Sequence, residues 1–471
     1  MKQIVIENVV IGAGTAGLAA YRALKAAGQP ALIIESGPYG TTCARVGCMP
    51  SKLLIAAAEA VHGVERWPEF GIRQVGAVTV DGVAVMARVK RERDRFVGFV
   101  LEGVDSIPAS DKLVGHAAFT GPNALEVLGV ASITFKKAII ATGSSPAIPA
   151  LLRDLRDCVV VNDDVFSWDT LPKSVAVFGP GVIGLELGQA LHRLGVSVHM
   201  FGRGGAVGPL TDPALRDYAI KTFGAEFPLH ADARNIHVER HDEIVMIGWN
   251  DEAGAAHKIE VEVVVAATGR TPNVHGLGLE TLGLELSPQG VPVFDRNTMQ
   301  CGSSSIFIAG DANQDVPLLH EAADEGRIAG ENAARYPQVV PGLRRTALGI
   351  VFSDPQIATI GQRYADLDLN QVVIGKVSFE DQGRSRVMLR NKGLLHVYAH
   401  RQTGQFLGAE MIGPDAEHIG HLLSWALQLG ATINGMLELP FYHPVVEEGL
   451  RTALRDAAAQ LDLQEPILSA A

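Results

Sequence analysis

Cysteine is scarce in this chain, with four among 471 residues. That is too few for the disulfide framework of a secreted protein of this length. Cys158 and Cys301 stand alone, without partners at ligand spacing, so a zinc site is not expected and no bound metal is assigned. Positive charge is also short: 40 Lys and Arg face 52 Asp and Glu, for a formal net charge of −12. This is the wrong sign for a protein that grips a phosphate backbone, so no nucleic-acid partner is expected. Apolar runs stay below the roughly 18 residues of a membrane span. The opening Met1-Lys2-Gln3-Ile4 reaches a glycine turn without the long apolar stretch of a secretory signal. A cytoplasmic protein with no membrane partner is the expectation. What is present is an ordinary globular mixture, 47% hydrophobic and 20% charged, with chain enough for about three domains at roughly 150 residues each.

The 51 glycines are not periodic, which excludes collagen, and their positions are informative. Two segments share one grammar. The first runs through Ile4-Val5-Ile6 and Val9-Val10-Ile11 to Gly12-Ala13-Gly14-Thr15-Ala16-Gly17, then an alanine- and leucine-rich stretch to Gly28, then Ala31-Leu32-Ile33-Ile34-Glu35. The second runs from Val175-Ala176-Val177-Phe178 through Gly179-Pro180-Gly181-Val182-Ile183-Gly184 and a helical stretch to Gly195, then Val196 to Phe201. Each reads as strand, glycine turn, helix and strand, a βαβ unit. Two further strand-like pieces end in Ala-Thr-Gly, at Thr142-Gly143 and Thr268-Gly269, and a third, from Ile306, ends at Asp311. Boundaries are expected near Pro146 to Pro149, near Pro272-Asn273 and at Pro337 to Gly342. Beyond them lies α+β sequence, strand-like over 347–360 and 393–399 and helical over 416–429. The stretch 230–260 alternates polar and apolar residues, and His237 and His241 read as solvated strand positions, not metal ligands.

Three glycines at this spacing permit a tight turn, close approach of backbone to a pyrophosphate, and close packing of helix on strand. The helix N-terminus then offers free N–H groups to the phosphates. Each copy follows a strand and opens a helix, the context that separates a dinucleotide turn from a mere helix cap. Glu35 lies 23 residues after Gly12, where a carboxylate accepts hydrogen bonds from a ribose diol. The same count from Gly179 reaches Gly202, with Arg203 next. No carboxylate awaits a second ribose there. Arg203 is either a cation placed for a 2′-phosphate or a surface arginine beside a ribose held by backbone.

Cys43 and Cys48 are five positions apart in Thr41-Thr42-Cys43-Ala44-Arg45-Val46-Gly47-Cys48-Met49-Pro50-Ser51-Lys52. A regular helix separates such residues by about 7.5 Å along its axis, beyond disulfide range. A disulfide there needs a distorted turn, which Gly47 can supply. The alternatives are two buried thiols or two metal ligands lacking two more. Near a dinucleotide turn in a cytoplasmic chain, a close pair is more often catalytic than structural. Late in the chain, His443 precedes Pro444 and Glu448 follows five residues on, at the start of a helical stretch. A carboxylate on one imidazole nitrogen fixes the tautomer, so that the other can take a proton.

The C-x4-C pair followed by Met-Pro-Ser-Lys, the two βαβ units, Ala-Gly-Asp and the late His-Pro with its glutamate together resemble the flavin-dependent pyridine nucleotide–disulfide oxidoreductases. Within them, the likeness is greatest to the dihydrolipoamide dehydrogenase group, from about residue 4 to about residue 460. The resemblance implies an α/β fold with two Rossmann-like dinucleotide-binding domains and a C-terminal α+β dimerisation domain. The FAD-binding domain would take 1–150 and 272–340, the NAD(P)-binding domain 151–271, and the dimerisation domain 341–471. Gly12, Gly14, Gly17 and Glu35 would hold FAD, touched also by Ala117, Thr142, Gly143, Asp311 and the Pro317-to-His320 stretch, including Leu318 and His320. Lys52 would lie near the flavin, close to Glu186. Gly179, Gly181, Gly184, Arg203 and Gly269 would serve the nicotinamide coenzyme, NAD with NADP possible. His443, with Glu448, would act across a homodimer on the partner's Cys43–Cys48 disulfide.

The expected reaction is oxidation of a small dithiol, or of a lipoyl group carried on a protein domain, through that disulfide and FAD to NAD. The alternative is an NADPH-dependent disulfide reductase of the glutathione reductase type, which Arg203 favours. Against it, the second motif of that group typically ends in alanine, whereas Gly184 stands here. Mercuric reductases carry an extra cysteine pair near the C-terminus, and no cysteine follows Cys301. Arg45 departs from the asparagine usual in the family. A guanidinium there either favours a Cys43 thiolate or points to a FAD phosphate or to solvent.

Overall fold

The computed structural model describes residues 1–462, so positions 463–471 of the expected third domain lie outside the described residues. The chain forms two compact units. The first contains Met1–Pro50, Arg88–Ala147 and Gly269–Arg345; the second contains Ser51–Ala87, Ile148–Thr268 and the chain from Thr346 onward. Residues 51–87 cluster with the second unit. The reason is local: the helix Cys48–Glu65 carries Ser51, Lys52 and His62, whose side chains find Glu186 and Asp354. Among the described residues, no helix is long and apolar enough to cross a membrane.

In the first unit the strand Lys2–Ile11 lies between Ala31–Glu35 and Ala131–Ile140, parallel to both. Asn8 to Ile11 are all buried, the continuous run expected of a parallel strand covered on both faces. Val9 and Ile11 join one core with Leu32, Ile34, Phe119 and Phe135. Val10 points the other way, into a core with Ile33, Leu24, Phe307 and Ile328. The strand Ala131–Ile140 changes character along its length. Its first half alternates while pairing antiparallel with Ala124–Val127, and its buried end pairs parallel with Ile306–Ile308. The helices Thr15–Ala26 and Leu319–Arg335 cross closely because small residues face each other: a side chain at Gly326 would strike the Ala16 carbonyl.

The second unit repeats the βαβ theme in a parallel sheet ordered Leu229–His230, Ser197–Phe201, Ser174–Phe178, Val263–Ala266 and Val159–Val161. A separate antiparallel sheet contains Arg234–His241, Ile244–Asn250 and Ala256–Val261. His237 and His241 are exposed on the first of these strands, whose burial alternates. The C-terminal part is a five-stranded antiparallel sheet with the helices Ala416–Gln428 and Glu448–Ala458. The strand-like stretch 347–360 forms two strands, Leu348–Val351 and Gln356–Gly361, paired back on each other. Pro355, which has no N–H to give a ladder, sits between them.

A buried polar clasp ties this unit together. Glu410, on the strand Phe406–Gly413, is fully buried and accepts from the Thr211 N–H (2.7 Å), the Thr211 hydroxyl (2.5 Å), the Asp212 N–H (3.1 Å) and the Tyr364 N–H (2.8 Å). Asp212, which caps the helix Pro213–Gly224, meets His396 Nδ1 at 2.6 Å and the Tyr398 hydroxyl at 3.3 Å.

Candidate active site

The first glycine turn shows why glycine is needed. Gly12 has φ +103°, and a Cβ there would collide with the Ala141 carbonyl. At Gly14, by contrast, no atom lies within 4 Å of where a Cβ would stand, so the space over the turn is open. Glu35 ends its strand with both carboxylate oxygens engaged, by the Ala13 N–H at 2.7 Å and the Gly37 N–H at 2.8 Å. A carboxylate offers about four acceptor positions, so capacity for a ribose diol remains. Ala117 is buried in the strand Ala117–Gly121. Thr142 donates its hydroxyl to the Asn273 carbonyl at 2.7 Å, Gly143 has φ +69°, and Asp311 accepts the Ser144 hydroxyl at 2.7 Å. Leu318 caps the helix Leu319–Arg335 and His320 is exposed in its first turn. Open space above a glycine turn, a carboxylate at the following strand end and a second carboxylate at Asp311 suit a dinucleotide, and these residues fit FAD.

The thiol pair lies in the same unit. Thr42–Val46 and Cys48–Glu65 are separate helices broken at Gly47, so Cys43 and Cys48 are not on one regular spiral. A Cβ on Gly47 would lie 3.2 Å from Cys43 Cα, which shows how tightly the chain doubles back there. A disulfide between residues five apart would need a break of this kind. Cys43 is half-buried and Cys48 exposed. The Arg45 stem folds back over Gly40, its Cδ 2.9 Å from where a Cβ would stand.

In the second unit, Lys52 Nζ makes an ion pair with Glu186, at 2.8 and 2.7 Å from its two oxygens. Glu186, on the helix Val182–Arg193, is 5% exposed and also accepts from the Phe352 N–H at 3.1 Å. The ammonium sits 4.5 Å over the Phe352 ring. The second glycine turn copies the first: Gly179 has φ +102° and a Cβ there would meet the Ala267 carbonyl, while Gly181 opens onto free space. Gly184 is buried in the first turn of the helix and its Cβ would strike Gly179, so helix and turn pack without side chains between them. Arg203 is exposed. Gly269, which belongs to the first unit, has φ +117°.

His443 is 80% exposed, with Nδ1 held 3.0 Å from Glu448 Oε2. Glu448 opens the helix Glu448–Ala458 and also accepts from Arg451 Nη2 at 2.9 Å and from the Val445 N–H. Partial burial pulls the Glu448 carboxyl up, but the His443 hydrogen bond, the Val445 N–H and the charges of His443 and Arg451 outweigh this and hold it below the usual range. The carboxylate thus fixes the ring and leaves Nε2 toward solvent. Sequence reading did not single out Ser144 or Phe352, and it met Asn273 only at an expected domain boundary. They carry no motif of their own and become visible only through their contacts.

Residues 7–326 match the pyridine nucleotide-disulphide oxidoreductase family and residues 348–454 its dimerisation domain. The chain is 31% identical to a dihydrolipoyl dehydrogenase of Geobacillus stearothermophilus, covering 98% of this chain and 97% of that one. It is 30% identical to a mercuric reductase of Shigella flexneri, over 94% of this chain and 79% of that one. In fold it is similar to LpdA from Mycobacterium tuberculosis, with a TM-score of 0.80 at 24% identity, over 96% of this chain and 99% of that one.

Proposed function

Because the chain belongs to the pyridine nucleotide-disulphide oxidoreductase family, with an α/β fold and FAD and a nicotinamide dinucleotide as its cofactors, we propose that it is a dihydrolipoamide dehydrogenase. The observation that carries this reading is the helix break at Gly47, which takes Cys43 and Cys48 off one regular helix, as a disulfide between them would require. FAD would be held by Gly12, Gly14, Gly17, Glu35, Ala117, Thr142, Gly143, Asp311, Leu318 and His320, with Lys52 at the ring. The nicotinamide coenzyme would be held by Gly179, Gly181, Gly184, Glu186, Arg203 and Gly269. When bound, the flavin supplies a two-electron carrier between the reduced cysteines and the nicotinamide. In domain terms, 1–150 and 272–340 serve FAD, 151–271 the coenzyme and 341–471 dimerisation.

His443 Nε2 takes a proton from a substrate thiol, because Nδ1 is committed to Glu448. The resulting thiolate attacks the Cys43 sulfur, the Cys43–Cys48 bond breaks, and Cys48 leaves as a thiolate. The second substrate thiol attacks the substrate sulfur of the mixed disulfide, the bond to Cys43 breaks, and its proton passes to the departing Cys43 thiolate. The substrate has then lost two electrons and gained a disulfide, and the protein pair has gained both electrons. A histidine as exposed as His443 supports a role on a partner subunit. So do the large apolar residues exposed in the C-terminal part of the single chain, Leu422, Trp425, Leu429, Leu439 and Tyr442. A homodimer would cover these residues and bring each His443 to the partner's thiols.

Arg203 and the missing carboxylate at Gly202 favour one second reading, an NADPH-dependent disulfide reductase. Anaerobic turnover separates the two. Dihydrolipoamide with NAD is expected to turn over faster than glutathione disulfide with NADPH. Turnover of the latter pair alone would replace the first reading with the second.

A further inference from the structure

The strand Ser197–Phe201 ends at Gly202, where a dinucleotide fold normally presents a carboxylate to the adenosine ribose. Position 202 could not do so here: a Cβ would lie 2.7 Å from Pro180 Cγ and 2.8 Å from the Ala231 carbonyl. The neighbouring strand supplies a carboxylate instead. Leu229–His230 runs parallel to Ser197–Phe201, with Phe201 opposite His230. The pairing continues past the strand ends, from the Gly202 N–H to the His230 carbonyl at 2.9 Å and from the Ala233 N–H to the Gly202 carbonyl at 3.1 Å. Asp232 therefore emerges beside the 202–205 loop. Its Oδ1 accepts the Gly204 N–H at 2.8 Å, and its Oδ2 accepts from Arg234 Nε at 3.0 Å and Nη2 at 2.7 Å. The described residues thus engage about three of four acceptor positions, and Oδ1 keeps one. Arg203 and Arg234, both exposed, flank the same loop.

We propose that Asp232 reads the coenzyme's ribose hydroxyls in place of the absent residue at 202, and that Arg234 sets how strongly that carboxylate rejects a 2′-phosphate. The proposal rests on the assignment of the second glycine turn to the nicotinamide coenzyme. The Arg234 hydrogen bonds and the Gly204 N–H hold the Asp232 carboxyl below the usual range, so it is ionised wherever the protein works. Arg234 is the positioning residue: it neutralises Asp232 and offers a cation that a 2′-phosphate could claim. Removing either member should therefore shift coenzyme choice, in opposite directions. A purely structural pair would not do this.

The test is equilibrium binding of adenosine 5′-monophosphate and adenosine 2′,5′-bisphosphate to the intact FAD-loaded protein, by calorimetry. In Asp232→Asn the bisphosphate should gain on the monophosphate by about tenfold, the loss of one repulsive charge at about 1.4 kcal/mol per decade. In Arg234→Ala it should lose ground severalfold. Ratios unchanged in both variants, or shifted in the same direction, would overturn the proposal while leaving the coenzyme site standing. A wild-type protein that binds neither nucleotide would overturn the coenzyme-site reading, and this proposal with it.

Discussion

Glu410→Gln alters one heavy atom in the buried clasp of the second unit, and the geometry sets what it costs. Both carboxylate oxygens face donors. Oε2 receives the Thr211 and Asp212 N–H groups, and Oε1 receives the Thr211 hydroxyl and the Tyr364 N–H. An amide must turn its NH2 toward one of these pairs. Facing the Oε2 side, it opposes two backbone donors, neither of which can turn away. Facing the Oε1 side, it opposes only the Tyr364 N–H, because the Thr211 hydroxyl can rotate and accept. The second orientation wins, and it still sets the Tyr364 N–H against the NH2 of a side chain that is 0% exposed in the wild type. That costs about 1–3 kcal/mol. Loss of the charge on the surviving bonds adds about 1–2 kcal/mol. The sum is a large share of the roughly 5–15 kcal/mol by which folded domains are stable. Differential scanning calorimetry should show the unfolding transition lowered by several degrees or more, at about 2–4 °C per kcal/mol for a domain of 150–250 residues. A midpoint within about 1 °C of wild type would refute the reasoning.

His443→Gln should leave the dimer and FAD content intact and slow dithiol oxidation by about 10²–10⁴-fold, the range for a lost general base; full activity in stopped-flow assays would end that role. Asp212 gives a pH prediction. Burial raises its carboxyl, but the hydrogen bond and charge of His396 and the helix N–H groups of Ala214 and Leu215 leave it below the usual range. A depressed folded value contributes stability that is complete above the unfolded value near pH 4 and is lost as pH falls through the folded one. Asp212→Asn should therefore flatten the acid side of the melting-temperature profile below about pH 4, and parallel profiles would count against it. For the coenzyme, kcat/KM should favour NAD over NADP by less than about a thousandfold, roughly 4 kcal/mol, because Asp232 is partly neutralised by Arg234. A larger preference would show that the carboxylate acts unopposed. Finally, Arg45→Asn should raise the pH at which Cys43 is alkylated if the guanidinium favours the thiolate, and an unchanged alkylation profile would assign Arg45 to another contact.

Much of this molecule was legible along the chain because its signals are local. A glycine turn between a β-branched strand and a helix is a requirement of backbone geometry, so Gly12, Gly14 and Gly17 could be read in order, as could Gly179, Gly181 and Gly184. The His443–Glu448 contact joins residues five positions apart, and Gly47, the residue that could supply a distorted turn between the thiols, is where the helices separate. What only the tertiary structure decided involves partners far apart in sequence. Counting residues from Gly179 reached Gly202 and found no carboxylate. Parallel pairing of the next strand brought Asp232 to that loop from 30 residues away. Counting could not find it, because sheet register depends on which strands become neighbours. Lys52 and Glu186, 134 residues apart, form an ion pair within the second unit. Glu410 and Asp212 carry no motif, and their burial and partners exist only once a helix cap and a distant sheet have met. Local steric demands are written into neighbouring residues, whereas the pairing of buried charges depends on packing that the whole chain determines.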